Sequence, residues 1–180
     1  DEVQIDGFIG PSHVSIVIGS DAYKKVSDEY NKPIVIAGFE PLDVLQSILF
    51  LVDIINQDKV TIINQYSRAV SMGGNLKAQS MIAEVLELRQ EFSWRGLGSI
   101  PSSGLKLREE YSFYDAEVSF VIPTFASDDV KACECPQILR GLKEPRDCKL
   151  FGLACTPEHP MGACMVSSEG ACAASYQYSV

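Results

Sequence analysis

Cysteine is absent from the first 132 of the 180 residues, and where it does occur it never forms a Cys-x-x-Cys pair. The first absence excludes cysteines used only as small core hydrophobes, which would be scattered over every buried element. The second removes the spacing in which two near-neighbour sulfurs span an edge of a zinc tetrahedron, the usual arrangement at structural zinc. Basic residues are in deficit, 15 against 24 acidic ones, for a net charge of −9. No basic stripe exists to neutralise phosphates, which argues against a nucleic-acid partner. No run of about eighteen apolar residues is present to span a bilayer, and no charged-then-apolar leader opens the sequence. Histidine occurs twice and tryptophan once, so each is weighed singly.

What the chain does have is a cysteine segment. It reads Cys133-x-Cys135, then Cys148, Cys155, Cys164 and Cys172, and it contains all six cysteines of the protein. Such segregation marks a local device. Six thiols can form three disulfides that pin a loop-rich segment in an oxidising compartment. Four thiolates can hold zinc. Four can instead hold a [4Fe-4S] cubane, which accepts more widely spaced ligands and leaves two thiols over. Spacing alone leaves all three open. The surrounding segment has too little apolar periodicity for a large core, and its Phe151-Gly152, Thr156-Pro157 and His159-Pro160-Met161-Gly162 punctuation implies loops wrapped around something. A bound metal group would supply that organisation, because its binding free energy becomes folding free energy. Ser167, Ser168 and Glu169 are expected to start a helix running through Tyr176. Cys172 then falls near the first turns, where the dipole favours thiolate.

Residues 1–127 alternate apolar runs with helical patterns, and 128–180 form the cysteine lobe, with Asp128-Asp129 at the junction. A short strand is expected over Val3 to Phe8 and a helix entry at Pro11-Ser12-His13, with Ser12 as cap and Val14, Val17 and Ile18 at helical spacing. Lys24 to Tyr30 reads as another helical piece ending before Asn31-Lys32-Pro33. The β-branched run Ile34 to Ala37 fits a strand buried on both faces of a parallel sheet. A helix follows from about Leu42 to Asn56, with Val44, Leu45, Ile48, Leu49, Val52 and Ile55 expected on one buried face. Val60 to Asn64 reads as a strand, and Leu76 to Arg89 as a helix with Met81, Ile82, Val85, Leu86 and Leu88 inward. This order predicts an α/β fold, a parallel sheet covered by helices, with a small cysteine-rich lobe at the C-terminus.

Ligands gather at the carboxyl ends of such strands, where Gly38-Phe39-Glu40-Pro41 lies. Glu40 is therefore a candidate cleft carboxylate, against the plainer reading of a charge stabilising a helix N-terminus. His13, beside a helix start, is a second candidate cleft residue, against the plainer role of a hydrogen-bonded structural histidine. His159 is read as a loop residue, since six cysteines already supply enough sulfur. Gly73-Gly74-Asn75 matches no phosphate-loop pattern and reads as a turn. Trp94 to Pro101 reads as a flexible corner with Trp94 as a packing anchor.

The run from Cys148-Lys-Leu-Phe-Gly-Leu-Ala-Cys155 through Thr-Pro-Glu-His-Pro-Met-Gly-Ala-Cys164 to Met-Val-Ser-Ser-Glu-Gly-Ala-Cys172 closely resembles the C-terminal signature of the HypD family of [NiFe]-hydrogenase maturation proteins. So do Cys133-x-Cys135 with Ile138-Leu-Arg-Gly141 and Pro145, and upstream Gly7-Phe-Ile-Gly-Pro-Ser-His13, Gly38-Phe-Glu-Pro41-Leu-Asp43, Asn64-Gln-Tyr66, Trp94-Arg-Gly-Leu-Gly98 and Ser103-Gly-Leu-Lys-Leu107. The resemblance covers essentially the whole chain. It implies the C-terminal half of such a protein, without a preceding α/β domain that carries an iron-ligating cysteine and a Cys-x-x-Cys pair. It further implies a cytoplasmic iron–sulfur protein whose site is similar to that of ferredoxin:thioredoxin reductase. Carried over, Cys133, Cys148, Cys155 and Cys172 would hold a [4Fe-4S] cluster, and Cys135 and Cys164 would be the adjacent redox pair. The implied role is that of a redox-active scaffold, rather than a conventional turnover enzyme, for assembly of the Fe(CN)2CO group. That iron group needs the half that is missing here. The implied partners are a HypC-type chaperone and a HypE-type cyanide donor, with no nucleic acid and no membrane. A competing reading is a non-redox structural metal site on a docking module, and a third is a secreted disulfide-stapled protein.

Overall fold

The computed structural model describes residues 4–121 and 131–178, which fall into two compact units, residues 5–85 and 86–178. The lobe boundary expected between residues 127 and 128, with Asp128-Asp129, lies outside the described residues.

The first unit runs β1 (Phe8–Gly10), α1 (Ser12–Ile18), α2 (Lys24–Tyr30), β2 (Ile34–Ile36), α3 (Pro41–Asn56), β3 (Ile62–Asn64) and α4 (Leu76–Val85). Its three strands form a parallel sheet in the order β1-β2-β3, with Phe8 opposite Ile34 and Ile34 opposite Ile62. Parallel pairing requires crossovers, and the helices between the strands provide them. The central strand is sealed, with Ile34 at 3%, Val35 at 0% and Ile36 at 0% exposure. This is the buried β-branched strand expected from its composition. Helix α2 stops where expected, at Asn31, whose left-handed φ of 53° closes the C-terminus ahead of Pro33.

Four expectations shift. The first strand is Phe8–Gly10, rather than a run ending at Phe8; Val3 lies outside the described residues. Ser12 is not a cap but the first residue of α1, whose N-cap is Pro11. Its hydroxyl donates instead to the Ala37 carbonyl just past β2, which ties the start of α1 to the central strand. The buried residues of α3 are Asp43, Ser47 and Ile54, whereas Val44, Leu45, Ile48, Leu49, Val52 and Ile55 are all exposed. Their spacing is helical as expected, but their face points away from the sheet. Helix α4 ends at Val85 and buries none of its residues; Leu86 to Leu88 leaves the helix and becomes a strand.

The turn at Gly73-Gly74-Asn75 is a backbone-to-backbone contact. Gly19 (φ 80°) and Gly74 (φ 70°) lie so close that a Cβ on either would overlap main-chain atoms of the other's segment. Asn75 then caps α4 by accepting from the Ala78 N–H at 3.0 Å.

The second unit opens with two antiparallel pairs, β4 (Leu86–Leu88) with β7 (Leu105–Leu107) and, between them in sequence, β5 (Glu91–Trp94) with β6 (Gly98–Pro101). The stretch expected as a flexible corner is thus a paired hairpin. Trp94 is 42% exposed, stands edge-on to Phe92 and donates its indole N–H to Ser103 Oγ at 2.8 Å. It braces the hairpin and is no core anchor. A short α5 (Ala116–Ser119) follows, its entry capped by the Asp115 carboxylate accepting from the Glu117 N–H at 2.9 Å. The cysteine segment supplies α6 (Cys135–Leu139), α7 (Ala163–Val166) and α8 (Ala171–Tyr178), joined by loops. The buried core of this unit is Cys135, Ile138, Cys148, Cys155, Cys164, Met165, Cys172 and Ala173. Among the described residues no helix is long and apolar enough to cross a membrane.

Candidate functional site

Short elements bring the six sulfurs together. Cys135 opens α6, Cys164 and Cys172 are each the second residue of α7 and α8, and Cys148 follows a single 3-10 turn at Pro145–Asp147. Cys155 sits in a loop held by its own N–H on the Leu150 carbonyl and its carbonyl on the Gly152 N–H. All six line one cavity, together with Ile138, Leu150, Phe151, Gly162 and Met165. Five are buried and Cys133 is half-buried; all six are free thiols.

The cavity wall is apolar, and its lining among the described residues contains no Lys, Arg or His. Burial accordingly pushes the thiols of Cys133, Cys164 and Cys172 up, Cys172 to about 11. At Cys164 burial is reinforced by the neighbouring Cys135 side chain, which pushes the thiol in the same direction. Two main-chain groups also reach the sulfurs. The Met161 N–H donates to Cys155 Sγ at 3.3 Å, and the backbone of Cys135 donates to the Cys133 sulfur and offsets part of the burial there. Gly162 passes so close to Cys133 that a Cβ there would overlap its sulfur. A second opening, lined by Gly96, Cys133, Cys135, Pro136, Met161, Gly162 and Ala163, lies against the same wall. Among the described residues, no three His, Cys, Asp or Glu side chains converge on a position for one metal ion.

His159 is exposed in a turn closed with Thr156. The other candidate residues from the sequence lie in the first unit. His13, exposed on α1, packs its ring against Phe39 at 4.3 Å. Glu40 precedes α3 with its side chain largely in solvent, 3.4 Å from Arg68. The tighter arrangement beside it involves residues that the sequence does not single out. Arg68 grips Asp43 with both guanidinium nitrogens, at 2.8 and 2.5 Å, and lies over the Tyr66 ring. Gln65 adds a bond to Asp43 at 2.9 Å and accepts from the Gly38 N–H. The Arg68 guanidinium holds the Asp43 carboxyl well below the usual carboxylate range. Gly38 has no room for a side chain, since a Cβ there would overlap the Asp43 carboxylate. The sequence signal for this cluster is the pairing of Gly38-Phe-Glu-Pro-Leu-Asp43 with Asn64-Gln-Tyr66, two segments that follow adjacent parallel strands and must therefore end side by side.

Against this geometry, the family model for HypD, described as the "Hydrogenase formation hypA family", matches residues 1–179. The chain is 58% identical over 176 residues to hydrogenase maturation factor HypD2 of Bradyrhizobium diazoefficiens, covering 98% of this chain and 46% of that protein. It is 56% identical to hydrogenase maturation factor HypD of Azotobacter vinelandii, with the same coverage. It is 49% identical over 177 residues to that of Escherichia coli K12, covering 97% of this chain and 47% of the relative. The chain thus spans about half the length of the curated relatives it matches. A cysteine-lined cavity on a small helical lobe, a parallel α/β sheet and these matches together lead to one statement: the chain belongs to the HypD family of hydrogenase maturation proteins.

Proposed function

We propose that this chain supplies the sulfur centre of a hydrogenase-maturation scaffold, in which Cys133, Cys148, Cys155 and Cys172 hold a [4Fe-4S] cluster and Cys135 and Cys164 form a redox-active pair beside it. The observation that carries the reading is the single apolar cavity that all six sulfurs line. The residues fit the group. Six cysteines lining one apolar cavity offer the all-sulfur donor set that such a cluster takes, and iron would supply the positive charge that the apolar wall withholds from thiolates. Cys133 and Cys155, which both receive main-chain N–H donors, are on the ligand side of the partition.

When bound, the cluster supplies electrons one at a time. The remaining work belongs to the protein. The Cys135–Cys164 disulfide takes up two electrons and two protons to give two thiols, breaking one S–S bond. Burial raises the Cys164 thiol, so this member of the reduced pair keeps its proton. Ile138, Leu150, Phe151 and Met165 keep water from the sulfurs. In the whole-length protein these reducing equivalents would serve assembly of the Fe(CN)2CO group, with a HypC-type chaperone and a HypE-type cyanide donor as partners and the cytoplasm as location. His13 and Glu40, at the carboxyl end of the sheet, are cleft residues in this reading. The role is that of a redox-active assembly scaffold.

Iron and acid-labile sulfide content of anaerobically prepared protein, beside a thiol count, tests it. The expected result is about four iron and four sulfide per chain, with two further thiols appearing on reduction. Cys135→Ser is expected to keep the cluster's visible absorption and lose disulfide turnover. Zinc without sulfide, three disulfides without metal, or loss of the absorption in Cys135→Ser would each overturn the assignment. A purely structural metal site would instead leave partner binding indifferent to reduction.

A further inference from the structure

The six apolar residues of α3 that face away from the sheet form a contiguous stripe, because Val44, Ile48, Val52 and Ile55 recur three or four apart with Leu45 and Leu49 alongside. Leu45 is 62% and Leu49 56% exposed. The opposite side of the same helix carries Asp43 and Ser47, which spend their polar groups on Arg68, Gln65 and the helix's own backbone. The helix is thus more apolar outward than inward. A stripe of this size without a charge in it is the composition of a permanent interface, resembling a core cut in half, and not that of a transient encounter surface, which carries more polar groups. The curated relatives are about twice as long as this chain, so an equal length of polypeptide exists in the family protein to cover the stripe.

We infer that the outward face of α3 is an internal domain interface, covered in the whole-length protein by the part of the family chain that this one does not span. The inference is independent of what the cysteines hold. The occupant is intramolecular, and its contacting surface is apolar, with aliphatic or aromatic side chains against Leu45, Ile48, Leu49 and Val52.

Hydroxyl-radical footprinting of the whole-length protein carrying this sequence tests it, with residue-level readout by mass spectrometry. Leu88, at 62%, and Leu153, at 81% exposure, serve as references in the same molecule. The expected result is that Leu45 and Leu49 react at least about tenfold more slowly than those two, at every protein concentration and without any added protein. Reaction at the reference rate would overturn the inference. So would protection that vanishes on dilution, which would mean a second copy is the occupant, or protection that appears only when a maturation chaperone is added.

Discussion

The two units of the chain are held together by different matter. Residues 5–85 contain no cysteine and are organised by a sealed three-residue strand, with buried Ser12, Ser15, Ser27, Asp43 and Ser47 clustered around it. Residues 86–178 have a buried core in which five of eight residues are cysteine. The first unit is specified by directional hydrogen bonds whose partners all lie within it, so its order is written into its own side chains. The second has a core of soft, reactive atoms, and in the proposed reading its order comes from the group those sulfurs hold. The comparison teaches that, under the proposed cluster assignment, metal supply and folding become one problem for the second unit and stay separate problems for the first.

The largest way to sharpen this contrast is to remove one proposed ligand. Cys155→Ser is expected to drop iron from about four per chain to less than about one and to abolish the thermal transition of residues 86–178. The transition of residues 5–85 should stay in place in calorimetry; a single shared collapse would break the comparison. The mirror experiment is Gly38→Ala, which forces a methyl group onto the Asp43 carboxylate. It is expected to cost the first unit about 1–3 kcal/mol by chemical denaturation, with iron content unchanged.

A subtler separation uses pH. The Asp43 carboxyl is held below its ordinary value by Arg68, chiefly through the paired hydrogen bonds. A depressed carboxylate contributes stability that is fully present above the unfolded value of about 4 and is lost as pH falls through the folded value. Asp43→Asn should therefore lower the melting midpoint of residues 5–85 by several degrees at neutral pH, and the gap to wild type should narrow below about pH 4. A gap that widens in acid would contradict the assignment. The smallest effect is expected from His159→Ala, since the ring is exposed in its turn; iron content and midpoint should both stay at wild-type values.

Much of the first unit is legible in the sequence because it uses local rules. The Ile34–Ile36 strand, the stop at Asn31 and the turn before α4 follow from β-branching, a left-handed residue ahead of proline, and paired glycines. The stripe on α3 shows the limit of the same rules. Periodicity says which residues share a face, and it cannot say which way that face points. Leu86–Leu88 reads as helix from its local pattern, yet its partner strand, Leu105–Leu107, is a distant pairing that overrides local propensity. The hairpin at Trp94 is hidden because its turn, Arg95-Gly96-Leu97, lacks the Asn-Gly or Asp-Gly signal. The Asp43–Arg68 pair is equally hidden, since the two residues are 25 apart and only the parallel register of β2 and β3 brings them together. The sulfur cavity is legible as a segment from spacing, whereas its division into four ligands and a pair is a proposal that the family signature suggests.

The glycines beside Cys133 set how the site ages. With no side chain at Gly96 or Gly162 to roof the opening, Cys133 is the only half-buried thiol among six. Dissolved peroxide arriving from solvent meets that sulfur before the five behind it. In protein without a bound cluster, oxidation is expected to begin at that one address, with sulfenic and then sulfinic acid accumulating on Cys133 first. Peptide mapping after brief peroxide exposure reads that order directly, and initial damage at Cys148 or Cys172 would show that the wear enters by another door.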